Sequence, residues 1–283
     1  MGITSGVDIA AGVKLISTWF DKQQLGSALG IYMTATSLGV VVANVAVPGL
    51  AGRWTWRGAY EILGAATVLA GIISLLVMRN APGAGPRAAL SKPDFSLLSK
   101  KPDLWLVAVA GFGAMWGTWG FAFWANALMV EGHALSPRTA AGIMVLFGIG
   151  GIFAKPALGI LSDRLGWRRK ILTLLCLGAF GPALVAFGCS NTVDSYQYLS
   201  PLLGVFAFVY SPLMTAMVAE VAGSDLAAAA TGLTNALWQI GSLIVPVAVG
   251  AVFQATHSFH AAFAALAIGP AIGAFVIAFV NAD

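Results

Sequence analysis

Residues 159–170 read Gly159-Ile-Leu-Ser-Asp-Arg-Leu-Gly-Trp-Arg-Arg-Lys170, a basic patch between two long apolar stretches, 139–161 and 170–189. Arg164, Arg168, Arg169 and Lys170 supply its charge. Short loops rich in Lys and Arg mark the cytoplasmic face of membrane proteins, so the patch predicts a span on each side and fixes their direction. A span needs about 20 mostly apolar residues. Working outward on that measure, we read nine segments: 3–19 (the weakest), 25–50, 59–79, 103–129, 139–161, 170–189, 197–219, 228–253 and 260–281. Pro48, Pro156, Pro201, Pro212, Pro246 and Pro270 fall in or at the ends of these segments. Membrane helices tolerate them because neighbouring helices satisfy the freed carbonyls.

The remaining basic residues obey the same orientation. Lys14 and Lys22 flank one loop, and Arg79, Arg87, Lys92, Lys100 and Lys101 lie in or beside another. With the patch, that places eleven on one side; only Arg53, Arg57 and Arg138 fall on the other, and Lys155 is left inside a span. The first span is then expected to run outside to inside, with the C-terminus cytoplasmic in the inner membrane. Residues 1–20 lack a basic leader region and carry Asp8, so no cleaved signal is expected.

Composition agrees. Of 283 residues, 59% are hydrophobic and only 9% charged, against about 25% charged in soluble domains. An ordinary soluble enzyme and a disordered chain are both excluded. The net charge of +4 is explained by loop placement rather than by nucleic-acid binding. Cys176 and Cys189, thirteen residues apart in one apolar stretch, stand roughly 20 Å apart on a helix, too far for a disulfide.

The stretch 80–102 is a linker, with Pro82, Gly83, Gly85, Pro86, Pro93 and Pro102 among its residues. Three spans precede it and six follow. An internal repeat is also legible. Gly30 and Gly39 recur as Gly232 and Gly241 at a shift of 202 residues, with Pro48 and Pro246 further along each span. Arg57-Gly-Ala-Tyr60 and His260-Ala-Ala-Phe263 open the spans that follow. The matching spacing in two successive spans is evidence for a six-helix repeat.

The patch at 159–170 resembles the cytoplasmic loop signature of the major facilitator superfamily: Gly159, then Leu161, Asp163, Arg164 and Gly166, then Arg168 and Arg169. Trp167 departs from the basic residue usual after that glycine. The segment Val13-Lys-Leu-Ile-Ser-Thr-Trp-Phe20 with Leu25-Gly-Ser-Ala-Leu-Gly30 looks like the family's junction of helices four and five, and Trp56-Arg57-Gly-Ala-Tyr60 like its entry to helix six. The resemblance covers the whole chain. It implies an all-α membrane protein with the major facilitator fold, about nine transmembrane helices corresponding to helices four to twelve, N-terminally truncated. Residues 1–79 would be the remainder of an N-terminal six-helix bundle, 80–102 the linker, and 103–283 the C-terminal bundle. Within the family, the chain is nearest in feel to nitrate/nitrite porters, cyanate-type permeases and oxalate/formate exchangers.

Lys155 is the sharpest site candidate. It lies eight residues before Asp163, roughly 12 Å along a helix and so near the bilayer midplane. Ionisable groups at that depth usually mark a substrate or ion path. Nitrate/nitrite porters carry an anion-binding basic residue in the same place, typically Arg, whose fork binds planar oxyanions where Lys offers a point charge. The alternatives are snorkelling or a structural pair. Asp8 is read as a proton-coupling group or a counter-charge. Trp116, Trp119 and Phe123 share one helix face and either line a cavity or pack. Asn235 and Gln239, in a polar run with Thr231, Thr234 and Ser242, and Tyr32, in a run with Thr34, Thr36, Ser37 and Asn44, complete the substrate-binding candidates. Tyr210-Ser211-Pro212 reads as a hinge or a plain kink. Gly39 to Asn44 lacks the Gly-Pro end of the family's antiporter signature, which argues against a drug/proton antiporter.

No metal-ligand spacing, phosphate loop or catalytic triad is legible. No enzyme activity and no cofactor are expected. The resemblance implies a secondary transporter working by alternating access on a small inorganic or organic anion, as a symporter or antiporter with protons or a counter-substrate. The expected partners are that substrate, protons and the lipid bilayer, with no nucleic acid, and the expected state is a monomer. The alternatives are transport of a neutral or cationic molecule, or a transport-like membrane sensor.

Overall fold

The structure is a computed structural model that describes residues 12–13, 15–16, 19–20, 24–79, 95–165, 169–223 and 226–281. The chain is all-helical among these residues. Helices α1 (Leu25–Arg53) and α2 (Trp56–Val77) come first, then a short turn α3 (Phe95–Ser99). Six long helices follow: α4 (Pro102–Ala127), α5 (Pro137–Leu165), α6 (Arg169–Gly188), α7 (Val193–Ala222), α8 (Ala227–Thr256) and α9 (Phe259–Ile277). Eight helices are long and apolar enough to cross a membrane, matching eight of the nine expected spans; the segment 3–19 falls mostly outside the described residues, as does 80–94 of the linker.

Capping residues set where several helices begin. Thr55, Thr192 and Ser258 accept the backbone N–H of Gly58, Ser195 and Ala261 at 3.4, 3.2 and 3.3 Å, which satisfies N–H groups the first turn leaves open. Gly223, at φ 82°, ends α7. Helix α4 does not stop at Ala127 but widens into a π turn, Leu128–Gly132, and Ala134 then takes a left-handed φ of 53°.

Helices α4 to α9 pack on one another around clustered rings. Phe121 meets Phe147 and Phe187 with centroids 4.8 Å apart in both pairs. Small residues bring the backbones close. A side chain on Gly113 would collide with the Gly269 carbonyl of α9, and one on Gly269 with the Gly113 carbonyl of α4. This is the small-residue packing of membrane helices, where shape replaces the hydrophobic drive. Helix α1 lies along α5 for its length and also touches α7. Helix α2 touches little besides α1, and its apolar side chains, from Tyr60 to Val77, are exposed on all sides. An apolar surface all round suits lipid or further helices rather than water.

At the basic end, Lys101 donates to the carbonyls of Val221 and Ala222 at 2.7 and 3.0 Å, a cation on the negative end of α7. Asp103 accepts the Asn281 backbone N–H at 2.9 Å, tying the chain's last described turn to α4.

Gly113→Val is expected to lower stability by about 1–3 kcal/mol through overpacking. Gly142→Val, where a side chain meets nothing within 4 Å, is expected to change it little. Thermal unfolding of both variants in detergent checks the contrast.

Candidate functional site

The site is built where α1, α5 and α7 meet. Helices α1 and α5 run antiparallel, and Gly30 lets them touch: a methyl there would stand 2.8 Å from the Lys155 carbonyl oxygen. Lys155 precedes the Leu165 end of α5 by ten residues, roughly 15 Å, and Met33 follows the Leu25 start of α1 by eight, roughly 12 Å. The two therefore sit at matched depth inside the bundle.

Lys155 is 1% exposed. Its Nζ donates to the Met33 carbonyl oxygen at 2.6 Å and to Thr36 Oγ1. The Thr36 hydroxyl in turn donates to the Met33 carbonyl at 2.8 Å. The ammonium also lies 4.7 Å from the centroid of the Phe208 ring on α7, a cation–π contact strengthened by exclusion of water. Ser211 Oγ, also on α7, sits 3.3 Å from Met33 Sδ. Among the described residues no carboxylate pairs with Lys155; the ion pair there joins Arg169 and Glu220. The lysine is thus held by neutral oxygens and a ring, which solvate its charge without cancelling it. It does not snorkel, because its head is bonded inside the bundle.

The other sequence candidates are dispersed. Tyr32, beside Met33, presses its hydroxyl toward Gly12, where no side chain would fit. Trp116 donates its indole N–H to the Ala265 carbonyl of α9 at 3.1 Å, and Trp119 packs beside Phe123 with centroids 6.1 Å apart. Neither makes a hydrogen bond or ring contact with the Lys155 cluster. Asn235 on α8 is buried, 5% exposed, and Gln239 accepts from Ser242 Oγ at 3.3 Å. Of the loop signature, Gly159 is buried and Arg169 pairs with Glu220 at the end of α7. Asp163 and Arg164 are helical, with side chains outside the described set; Gly166, Arg168 and Asp8 lie outside the described residues.

Sequence reasoning did not single out Met33 or Phe208. A main-chain carbonyl has no sequence signature, and Phe208 is one of 16 phenylalanines. Thr36 was visible only as part of the α1 polar run. A separate cleft of about 410 Å³ opens at the opposite end from Lys101, between α1, α4 and α5, and is lined by Asn44, Pro48, Asn126, Glu131 and Pro137 among others. A groove of about 640 Å³ between α5 and α7 is apolar apart from Tyr198.

The sequence matches the model of the Major Facilitator Superfamily over residues 1–246 and again over 128–282. The chain belongs to the Major Facilitator Superfamily. An uncharacterized MFS-type transporter of Mycobacterium tuberculosis is 24% identical over 270 residues, covering 95% of this chain and 60% of its own length. The probable nitrate/nitrite transporter NarK2 of the same species is 24% identical over 265 residues, 88% of this chain and 63% of NarK2. The structure is similar to that of the E. coli fucose:proton symporter FucP, with a TM-score of 0.68 at 14% identity, over 96% of this chain and 72% of that one. That likeness confirms the fold expected from the loop signature. The chain spans about 60% of the length of the first curated relatives it matches. A multi-pass membrane protein of this superfamily, with a buried lysine where α1, α5 and α7 meet, is therefore established.

Removing a buried charge that, like Lys155, has no ionic partner among the described residues relieves its desolvation. Lys155→Met is accordingly expected to raise the anion-free melting temperature, by about 1 kcal/mol or more in stability. Unfolding in detergent at neutral pH checks it.

Proposed function

We propose that this protein is a secondary active transporter that moves a small anion by alternating access, with Lys155 as the anion's positive contact. The observation that carries the reading is the buried ammonium held, among the described residues, by the Met33 carbonyl, the Thr36 hydroxyl and the Phe208 ring. An uncancelled positive charge inside apolar helices costs stability and attracts one kind of ligand above others. NarK2, named for nitrate and nitrite, supports the anion class.

In this reading residues 1–79 and 103–283 belong to two bundles joined by the 80–102 linker. Their relative rocking opens the seam between α1 and α5 to one side and then to the other. The clustering of Lys and Arg in the linker and the 162–170 loop makes that side cytoplasmic and leaves the C-terminus there, in a cell inner membrane. The energy comes from a proton gradient or from a counter-anion, with Asp8 as the proton-carrier candidate. The protein works without a cofactor, without enzymatic chemistry and as a monomer. Trp116, Trp119, Asn235, Gln239 and Tyr32 remain secondary candidates for substrate contact.

Uptake of nitrate and formate into proteoliposomes, with and without a proton gradient, tests the reading. Saturable uptake that falls at least about tenfold in Lys155→Ala is the expected result, tenfold being about 1.4 kcal/mol of lost interaction. Uptake of these anions that is unaffected by Lys155→Ala would make the lysine structural. Uptake of a neutral sugar in their place would favour the second class of substrate.

A further inference from the structure

Ser37 lies one turn along α1 from Met33 and shares its face. It is 0% exposed, and its hydroxyl has no hydrogen-bond partner among the described residues. Its neighbours behave differently. Thr34 and Thr36 return their hydroxyls to the carbonyls of Gly30 and Met33, both at 2.8 Å, the usual way a helix satisfies such groups. Buried polar groups are satisfied in the great majority of cases, so an exception asks for a cause.

Its surroundings suggest one. A methyl built on Gly151 would stand 2.5 Å from Ser37 Oγ and 2.5 Å from the Phe208 ring. Gly151 is four residues before Lys155 and on the same face of α5. The Lys155 ammonium lies over that same Phe208 ring. Ser37 Oγ and Lys155 Nζ therefore both lie near one aromatic ring, at the place where α1 and α5 come together, with the Thr36 hydroxyl already on Nζ.

We propose that Ser37 is a second ligand of the anion site, donating its O–H to an oxygen of a monovalent oxyanion or carboxylate whose charge Lys155 balances. This rests on the reading of Lys155 as the anion contact. The site is closed in this structure, so the anion takes the N–H groups that Nζ now gives to Met33 and Thr36. Met33's carbonyl stays within the helix ladder of α1 and Thr36's hydroxyl stays bonded to it, so neither is orphaned. The charge of the ligand follows from a count. In the eight described spans, Arg53, Arg57, Arg138, Arg169 and Lys170 lie within two residues of a helix end, and Lys155 alone is interior. One positive charge neutralises a monoanion; a dianion would carry an uncompensated charge into the membrane interior, which is costly.

The two roles of a hydroxyl have opposite signatures. A structural serine destabilises when removed; an unpartnered one kept for a ligand does not. Thermal unfolding of the purified chain in detergent, titrated with nitrate, formate and sulfate, separates them. In the wild type, nitrate or formate raises the melting temperature with saturation, and sulfate raises it far less. Ser37→Ala leaves the anion-free melting temperature unchanged or higher and weakens the half-saturating concentration about tenfold, the loss of one charge-assisted bond. Lys155→Gln abolishes the shift. An unchanged half-saturating concentration in Ser37→Ala, or a lower anion-free melting temperature, overturns the role of Ser37. Sulfate binding as tightly as nitrate overturns the monovalent class. A wild-type shift that survives Lys155→Gln, or no shift with any of the three, overturns the underlying anion reading instead.

Discussion

A lysine can be closed inside apolar helices only if oxygen atoms reach its ammonium, and here those oxygens belong to a different helix. Gly30 lets α1 lie against the backbone of α5, and that approach carries the Met33 carbonyl and the Thr36 hydroxyl to Nζ. The carbonyl keeps its place in the α1 ladder and shares its remaining acceptor capacity between the lysine and the Thr36 hydroxyl. Helix contact and charge burial are thus one arrangement. A bulkier residue at position 30 would part the backbones and leave the ammonium without its acceptors, a far costlier state than a lost van der Waals contact.

Elsewhere in the bundle most buried polar groups find partners within and between helices; the Ser200 hydroxyl of α7 is, like that of Ser37, buried without one among the described residues. Thr118 on α4 bonds the carbonyls of Ala114 and Ala207 and contacts the Tyr210 hydroxyl at 3.1 Å. The indoles of Trp116 and Trp238 donate to carbonyls of Ala265 and Val107. These contacts cross helix pairs α4–α7, α4–α9 and α4–α8 and have no charge to balance. The seam of α1 with α5 and α7 differs, because among the described residues it places a charge without an ionic partner close to an unpartnered hydroxyl. Both are features that stability alone would remove.

Much of this was legible in the sequence, for physical reasons. Long apolar runs, the bias of Lys and Arg to alternate loops, and the Gly159–Lys170 patch depend on the bilayer and on local chain order, so they read directly. Lys155 stood out because one charge in an apolar run is conspicuous. Its partners did not, since they are a main-chain carbonyl, a hydroxyl among several and a common aromatic ring, joined only by packing. Trp116 illustrates the converse. Helical spacing put it on a face with Trp119 and Phe123, but spacing does not say what that face meets, and the indole meets the backbone of α9. The extension of α4 into a π turn at Leu128–Gly132 was equally hidden, as Gly132 closes the turn and nothing in the four residues before it marks the change.

The seam also determines what a ligand at Nζ would do mechanically. The ammonium has three N–H groups, and its two hydrogen bonds both go to α1. A ligand that takes them removes the polar ties that Lys155 makes across the α1–α5 contact and leaves the glycine packing behind. Such a ligand has unequal affinity for the closed and parted arrangements, which is the requirement for shifting a conformational equilibrium at all. A ligand held only by Trp116 or Trp119 would have no comparable grip on α1, since Trp116 bonds the Ala265 carbonyl of α9 and Trp119 packs beside Phe123 of α4 itself. A ligand at Lys155 would therefore act on the α1–α5 contact through the same two hydrogen bonds.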